Sequence, residues 1–186
     1  KPEPLAGALA QVKERMPAAT TLLLSPQGRR FDQQLAESLA QAGELIFVCG
    51  RYEGVDERFV DRFVDGEISI GDFVLTGGEL AAMVIIDAVA RLIPGVLGNE
   101  DSAGSDTFCD GLVEHAHYTR PPSYDDEPVP GVLLSGNHAE IDRWRRETAL
   151  MRTVLKRPDL LEGRDISPEE RALLKKWRRE LDRLIG

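Results

Sequence analysis

SIGDFVLTGGELAAM, residues 69–83, is the stretch on which the fold turns. ISI (68–70) and DFVL (72–75) are short β-leaning pieces on either side of Gly71, and both read as extended. Gly77 and Gly78 then turn the chain into an apolar helix over residues 79–93, closed by Pro94-Gly95. A strand passing through a glycine turn straight into a helix is the repeating unit of an α/β domain. The same unit recurs toward the N-terminus. ELIFVC (44–49) is a continuous apolar run, as in a strand buried on both faces, and it ends in GRYEG. Asp56 is placed to cap a short helix carrying Phe59, Val60, Phe63 and Val64. Phe31, Leu35 and Leu39 predict a helix ended by Gly43, and TTLLL (20–24) predicts a strand ending at the turn SPQG. Leu5, Leu9, Val12 and Met16 predict a first helix stopped at Pro17. Residues 1–97 are therefore expected to form an α/β unit with a mostly parallel sheet.

From residue 94 onward glycine, proline and acids accumulate and periodicity fades. Residues 98–131 are expected to be a linker or functional loop, too long for a routine connection. After VLLSG (132–136) the pattern is helical again. Asn137 with Glu140 predicts a cap and its reciprocal acid, with the helix running to about Arg157. Ser167-Pro168-Glu169-Glu170 is a fuller start signal, and Leu173, Leu174, Trp177, Leu181 and Leu184 line one face behind it. Residues 132–186 are thus expected to form a small all-helical domain.

With 42% apolar and 30% charged residues in 186, the chain has ordinary globular composition, which excludes a disordered tail, a collagen and a disulfide miniprotein. The longest apolar stretch, residues 80–86, is broken by Asp87, Arg91 and Pro94, so no membrane span is expected. The start KPEPLAGALA has no signal-peptide layout and no Met, as in a piece of a longer chain. Cys49 and Cys109 form no C-x-x-C; two unpaired thiols in a reducing cytoplasm are the simpler reading, with a disulfide between them the open alternative. The net charge of −9 argues against non-specific coating of nucleic acid. Its distribution is uneven: residues 1–140 carry net −13 and residues 141–186 net +4, so a cationic C-terminal piece can dock a polyanion or simply be solvated.

No G-x-G-x-x-G, Walker-type loop, zinc-spaced cysteine–histidine cluster or G-x-S-x-G elbow is present. What stands out is three glycine-marked turns at the ends of predicted strands: Ser25-Pro26-Gln27-Gly28, Gly50-Arg51-Tyr52-Glu53-Gly54, and Ile70 to Leu75 running into Gly77-Gly78. Ligands of open α/β sheets bind outside the carboxyl ends of the strands, and glycine there admits backbone to a flat heterocycle such as adenine. Each turn alone reads equally as a tight connection. By spacing, Asp106 reads as a solvated loop acid and Arg91 as a cation complementing a helix C-terminus. His117-Tyr118-Thr119-Arg120-Pro121 suits stacking and phosphate contact with RNA, and suits a capped turn as well. His115 and His138 read as surface residues without partners.

LLLSPQGR (22–29), VCGRYEGVDER (48–58), SIGDFVLTGGELAAM (69–83), RLIPGVLG (91–98), HYTRP (117–121) and VLLSGNHAEIDRWR (132–145) together resemble the bacterial tRNA (guanine-N(1)-)-methyltransferase family. The likeness runs over residues 20–162. It implies a SPOUT-type α/β domain with a deep trefoil knot, followed by a small helical domain. It also implies methylation of the guanosine immediately 3′ of the anticodon, in the cytoplasm, by a homodimer that shares its active sites between subunits. S-adenosylmethionine would lie in the knot against Leu24, Ser25 and Pro26, then Gly50, Tyr52, Glu53 and Gly54, then Ile70, Gly71, Asp72, Phe73, Val74, Leu75, Gly77 and Gly78. Phe73 stands where the family usually has Tyr, and Ala81 where it usually has Pro.

By the same resemblance, Asp106 maps to the catalytic base and Arg91 to its supporting cation. His117, Tyr118, Arg120, Ser135, Gly136, Asn137, Arg143 and Arg145 map to the tRNA-contacting part. Magnesium is an optional helper with Glu53 as contributor, although no magnesium cage is legible. The family carries about 60 further residues before this start, including a first strand and a G-G-G-x-G-M segment, which are expected to precede Lys1 in the complete protein. Two other readings remain open on the residues alone: a non-catalytic adenosine-binding regulatory module, and a helical interaction protein.

Overall fold

The computed structural model describes residues 1–51, 54–96, 107–108 and 110–186. They fall into two compact units, Lys1–Ala103 and Gly104–Gly186. The first runs α1 (Pro2–Arg15), β1 (Thr20–Arg30), α2 (Gln33–Gln41), β2 (Leu45–Cys49), α3 (Glu57–Phe63), β3 (Gly66–Ser69) and α4 (Glu79–Ala90). Its sheet has the order β2-β1-β3, with both pairings parallel. The expected α/β unit with a parallel sheet is therefore present.

Period-two alternation along β1 distributes the core. Leu22 and Leu24 face Leu35, Ala36 and Leu39 of α2 and Ala82, Ile85 and Val89 of α4. Leu23 faces the other way, into a second cluster with Leu9 of α1, Val48 of β2 and Phe59 of α3. Both sheet faces are thus covered by helices, and each fully buried leucine or isoleucine contributes roughly 1.5–3 kcal/mol. Asp32 caps α2 by accepting from Leu35 N–H at 2.8 Å. Asp56 caps α3 by accepting from Arg58 N–H at 3.1 Å, and the Arg58 guanidinium lowers its carboxyl pKa to about 2.

Three details depart from the sequence expectations. β1 does not end at TTLLL: its pairing with β3 stops at Leu24↔Ile68 and resumes at Arg29↔Ile68, so SPQG is a bulge inside one strand. The resumption requires Gly28, because a Cβ there would stand 2.4 Å from the backbone of Glu67 and Ile68. β2 is buried fully only at Val48, because it lies at one side of the described sheet. DFVL is not a strand: Gly71 has φ +150° and its carbonyl accepts from Phe73 N–H at 3.0 Å, which folds the segment into a turn.

The second unit holds a small ladder pairing Ser123–Tyr124 with Glu127–Pro128, a short helix Gly131–Leu134, a long helix His138–Lys156, a 3-10 turn Pro158–Leu161 and a C-terminal helix Pro168–Ile185. Asn137 caps the long helix through Glu140 N–H at 3.4 Å. Ser167 and Glu170 form a complete capping box, which Arg164 reinforces with two 2.9 Å bonds to the Glu170 carboxylate. Leu173, Leu174 and Trp177 are half-buried, whereas Leu181 and Leu184 at the far end of the same face are exposed. No described helix is long and apolar enough to cross a membrane.

Candidate active site

The three glycine turns, far apart in sequence, converge beyond the carboxyl ends of β2 and β3. They enclose a cavity of ≈ 350 Å³. Leu24, Ser25 and Pro26 enter it from the β1 bulge, Gly50 and Gly54 from the turn after β2, and Ile70, Val74, Leu75, Gly77 and Gly78 from the segment between β3 and α4. Gly71, Asp72 and Phe73 belong to that last segment but are not among the lining residues. Tyr52 and Glu53 lie outside the described residues.

Backbone bonds lock the turns to one another. Gly78 N–H donates to the Gly50 carbonyl at 3.0 Å, and Arg51 pairs with Gly77 in an isolated antiparallel bridge. Arg51 Nε also donates to Glu79 Oε1 at 2.7 Å. The Glu79 carboxyl is held below its usual range by its own backbone N–H and then by Arg51. Ser69 Oγ donates to the Gly71 carbonyl at 3.1 Å and accepts from Gly71 N–H at 3.2 Å, which fixes the exit from β3. Gly78 packs directly on the β2 backbone: a Cβ would lie 2.9 Å from Cys49 Cα. Behind it, burial and then Glu79 push the Cys49 thiol pKa up.

Beyond Ser25, polar side chains not assigned to the site from sequence also face the cavity: Gln27, Arg51, Glu57, Glu67, Ser69 and Thr76. Gln27, Arg51 and Thr76 sit inside or beside the glycine motifs and were legible there by adjacency. Glu57 and Glu67 come from α3 and β3, and only the folded arrangement brings them in.

Of the two catalytic assignments, only Arg91 is among the described residues. Arg91 is the exposed C-cap of α4, its N–H bonded to the Asp87 carbonyl at 3.3 Å, and it is not among the lining residues. Asp106 lies outside the described residues, as does Cys109.

In the second unit the HYTRP segment lies along the long helix. The Tyr118 ring is 6.1 Å from Trp144, the His115 ring 6.5 Å from Trp144, and the His115 and His117 rings are 4.5 Å apart. This corrects the reading of His115 as a surface residue without partners: it is half-buried within an aromatic row. Thr153 Oγ1 accepts from Val113 N–H at 3.0 Å and Arg152 Nε donates to the Glu114 carbonyl at 3.0 Å, so the residues just before HYTRP are pinned to the helix. Arg143 and Arg145 project from that same helix, Arg145 standing 3.6 Å from Asp142. Ser135, Gly136 and Asn137 form its entry: Ser135 Oγ donates to the Val132 carbonyl at 2.7 Å, Gly136 takes φ +72° and Asn137 is the cap.

A family model described as tRNA (Guanine-1)-methyltransferase TrmD matches residues 1–163. A protein of Syntrophotalea carbinolica is 58% identical over 182 residues, covering 98% of this chain and 73% of its own length. One of Geobacter sulfurreducens is 59% identical over 180 residues, with 97% and 74% covered. One of Pseudomonas entomophila is 55% identical over 183 residues, with 98% and 73% covered. All three are named tRNA (guanine-N(1)-)-methyltransferase.

Proposed function

The chain belongs to the tRNA (guanine-1)-methyltransferase family, and from that premise we propose how it works as an enzyme that methylates N(1) of a tRNA guanine. The methylated base is the guanosine immediately 3′ of the anticodon, and the methyl donor is S-adenosylmethionine. The observation that carries the cofactor assignment is the convergence of three glycine turns on one cavity of ≈ 350 Å³. The cradle fits a flat heterocycle: a Cβ at Gly78 would intrude on the wall, and the glycines leave backbone groups open to the ligand. Leu24, Pro26, Ile70, Val74 and Leu75 supply the apolar contacts. Bound there, the cofactor supplies an already activated sulfonium methyl.

The chain's own residues have three tasks. The turns would bind and orient the methyl donor beside the guanine, so that reaction within the complex replaces a random encounter. Asp106 takes the proton from N(1), which is a poor nucleophile until that proton leaves; base catalysis of this kind is worth ~10²–10⁴ in rate. Arg91 stabilises the negative charge that moves onto the guanine carbonyl oxygen, a contribution of about 3 kcal/mol for a preorganised donor.

The long helix and the HYTRP segment grip the tRNA through His117, Tyr118, Arg120, Arg143 and Arg145, with Ser135, Gly136 and Asn137 at the entry. Asp106 belongs to the stretch of chain that follows a knotted cofactor domain and leads toward the long helix of the second unit. The active unit is a homodimer in which the cofactor pocket of one subunit meets the linker of the other. What supports the dimer is α4. Ala81, Ala82, Ile85 and Val89 bury one side of it, while Leu80, Met83, Val84 and Ile86 are at least half exposed on the other. A helix apolar all round is one that is buried all round in its working assembly. The work is done in the cytoplasm, where its tRNA substrate is, and Glu53 would be the residue to contribute to a magnesium ion if one assists. The reading as a non-catalytic regulatory module has no support among relatives that carry an enzyme's name.

The test is methyl transfer to an unmodified tRNA transcript, beside a transcript with adenosine in place of the guanosine 3′ of the anticodon. Label in the first alone supports the assignment. Equal label in both, or none in either with S-adenosylmethionine bound, overturns it.

A further inference from the structure

Outside the cavity, the described residues hold one group of three metal-ligating side chains: Glu114, His115 and His117, whose ligand atoms all lie within 4.8 Å of one another. His117 Nε2 is 2.9 Å from Glu114 Oε1, and His115 and His117 face each other at 4.5 Å between ring centres. His115 Nδ1 lies 3.1 Å from the Ala116 carbonyl. A carbonyl accepts only from the protonated nitrogen, so this contact places the proton on Nδ1 and leaves the Nε2 lone pair available. That is the arrangement by which proteins fix a metal-binding imidazole, with the far ring nitrogen held by a backbone carbonyl.

The backbone under the three side chains is held as well. Glu114 N–H donates to Thr107 Oγ1 at 3.1 Å, the Glu114 carbonyl accepts from Arg152 at 3.0 Å, and Trp144 stands behind the His115 ring. Two ligands on one tetrahedral zinc ion, each at about 2.1 Å, lie about 3.4 Å apart. The three ligand atoms, all within 4.8 Å of one another, stand near that spacing.

We propose that Glu114, His115 and His117 form a site for one zinc ion per chain. Two imidazole nitrogens and one carboxylate are the donor set of open zinc sites, and nitrogen donors discriminate against magnesium. The ion takes the place of the proton between His117 Nε2 and Glu114; that proton leaves to solvent or moves to Nδ1. The fourth position stays with water. The site is independent of the cofactor cavity and does not rest on the RNA reading of this segment.

The test uses the whole chain. Calorimetric titration with zinc chloride is expected to show one equivalent bound with a micromolar Kd, undisturbed by millimolar magnesium. Cobalt(II) should give tetrahedral visible bands without a thiolate charge-transfer band. His115→Gln and His117→Gln should each weaken zinc at least about tenfold, and the double variant should abolish stoichiometric binding, whereas His138→Gln should change nothing. Circular dichroism checks that the variants fold; if they do not, the wild-type cobalt spectrum and the ring-nitrogen NMR shifts of His115 and His117 on adding zinc decide. The proposal is overturned by no zinc binding below about 1 mM, by undiminished binding in the folded double variant, by a thiolate band, or by ring shifts that do not move.

Discussion

Gly78→Ala isolates the packing of the cofactor cradle from every other effect. The backbone at Gly78 has φ −76° and ψ −9°, which alanine adopts freely, so no dihedral strain enters. Space is the problem. The added methyl would lie 2.9 Å from Cys49 Cα, 3.2 Å from Cys49 Cβ and 3.4 Å from Leu24 Cβ. Carbon atoms settle at about 3.5–4.0 Å, so the Gly77-Gly78 wall must retreat from β2 by at least half an ångström. The obstructing atom is backbone within the central sheet and cannot rotate away. Overpacking of this kind costs about 1–3 kcal/mol. The retreat also stretches the 3.0 Å bond from Gly78 N–H to Gly50 that ties two cofactor turns together. A loss of about 1.4 kcal/mol in the cradle is a tenfold loss of affinity. Gly50→Ala should do less, because its methyl meets only the Val55 side chain at 3.1 Å. Gly131→Ala, with nothing within 4 Å, should be silent. The assay is calorimetric titration with S-adenosylmethionine, paired with thermal unfolding. An affinity within twofold of wild type for Gly78→Ala, with unchanged Tm, would refute the claim that this wall is tight.

Four further outcomes are expected. Asp106→Ala should abolish methyl transfer while S-adenosylmethionine affinity stays near wild type; near-normal turnover would remove Asp106 from the mechanism. Gly78→Val and Asp106→Ala subunits, each inactive alone, should recover about a quarter of wild-type activity after random exchange, since about half the dimers are mixed and each has one intact site; no recovery after confirmed exchange would reject shared sites. Trp144→Ala should weaken tRNA binding about tenfold, consistent with ~1–3 kcal/mol per stacked base, and leave cofactor affinity alone; equal tRNA affinity by filter binding would remove the aromatic row from recognition. Glu170 has its pKa lowered from the ordinary 4.5 by Arg164, so its stabilisation is full above that value and is lost as acid carries the solution through the lowered folded-state value. Glu170→Ala should cost about 1–3 kcal/mol at neutral pH and nothing once the wild-type carboxyl is protonated; a stability gap that does not narrow on acidification would show that the ion pair contributes nothing.

Much of this protein was decided by neighbours in sequence. Asp56, Asn137 and Ser167 all cap the helices they were expected to cap, because a cap needs only its own residue and the next three. Strands β1 and β2 followed from short apolar, β-leaning runs and the covering helices from apolar period, since a side chain's face is set by its position along one element. The glycine motifs marked where the cavity would open, because exits from strands are local as well. What only the tertiary structure decided is where those pieces meet. That Gly28 lies against Glu67 and Ile68, and Gly78 against Cys49, depends on strands brought together from distant parts of the chain, and no local pattern encodes those approaches. SPQG became a bulge rather than a turn because β3 remained available to pair beyond it. DFVL has strand composition yet bends, because Gly71 and the Ser69 hydroxyl impose a turn that propensity cannot override. His115 had no partner in sequence; Trp144, on a separate element, became one only when the chain folded back on the long helix.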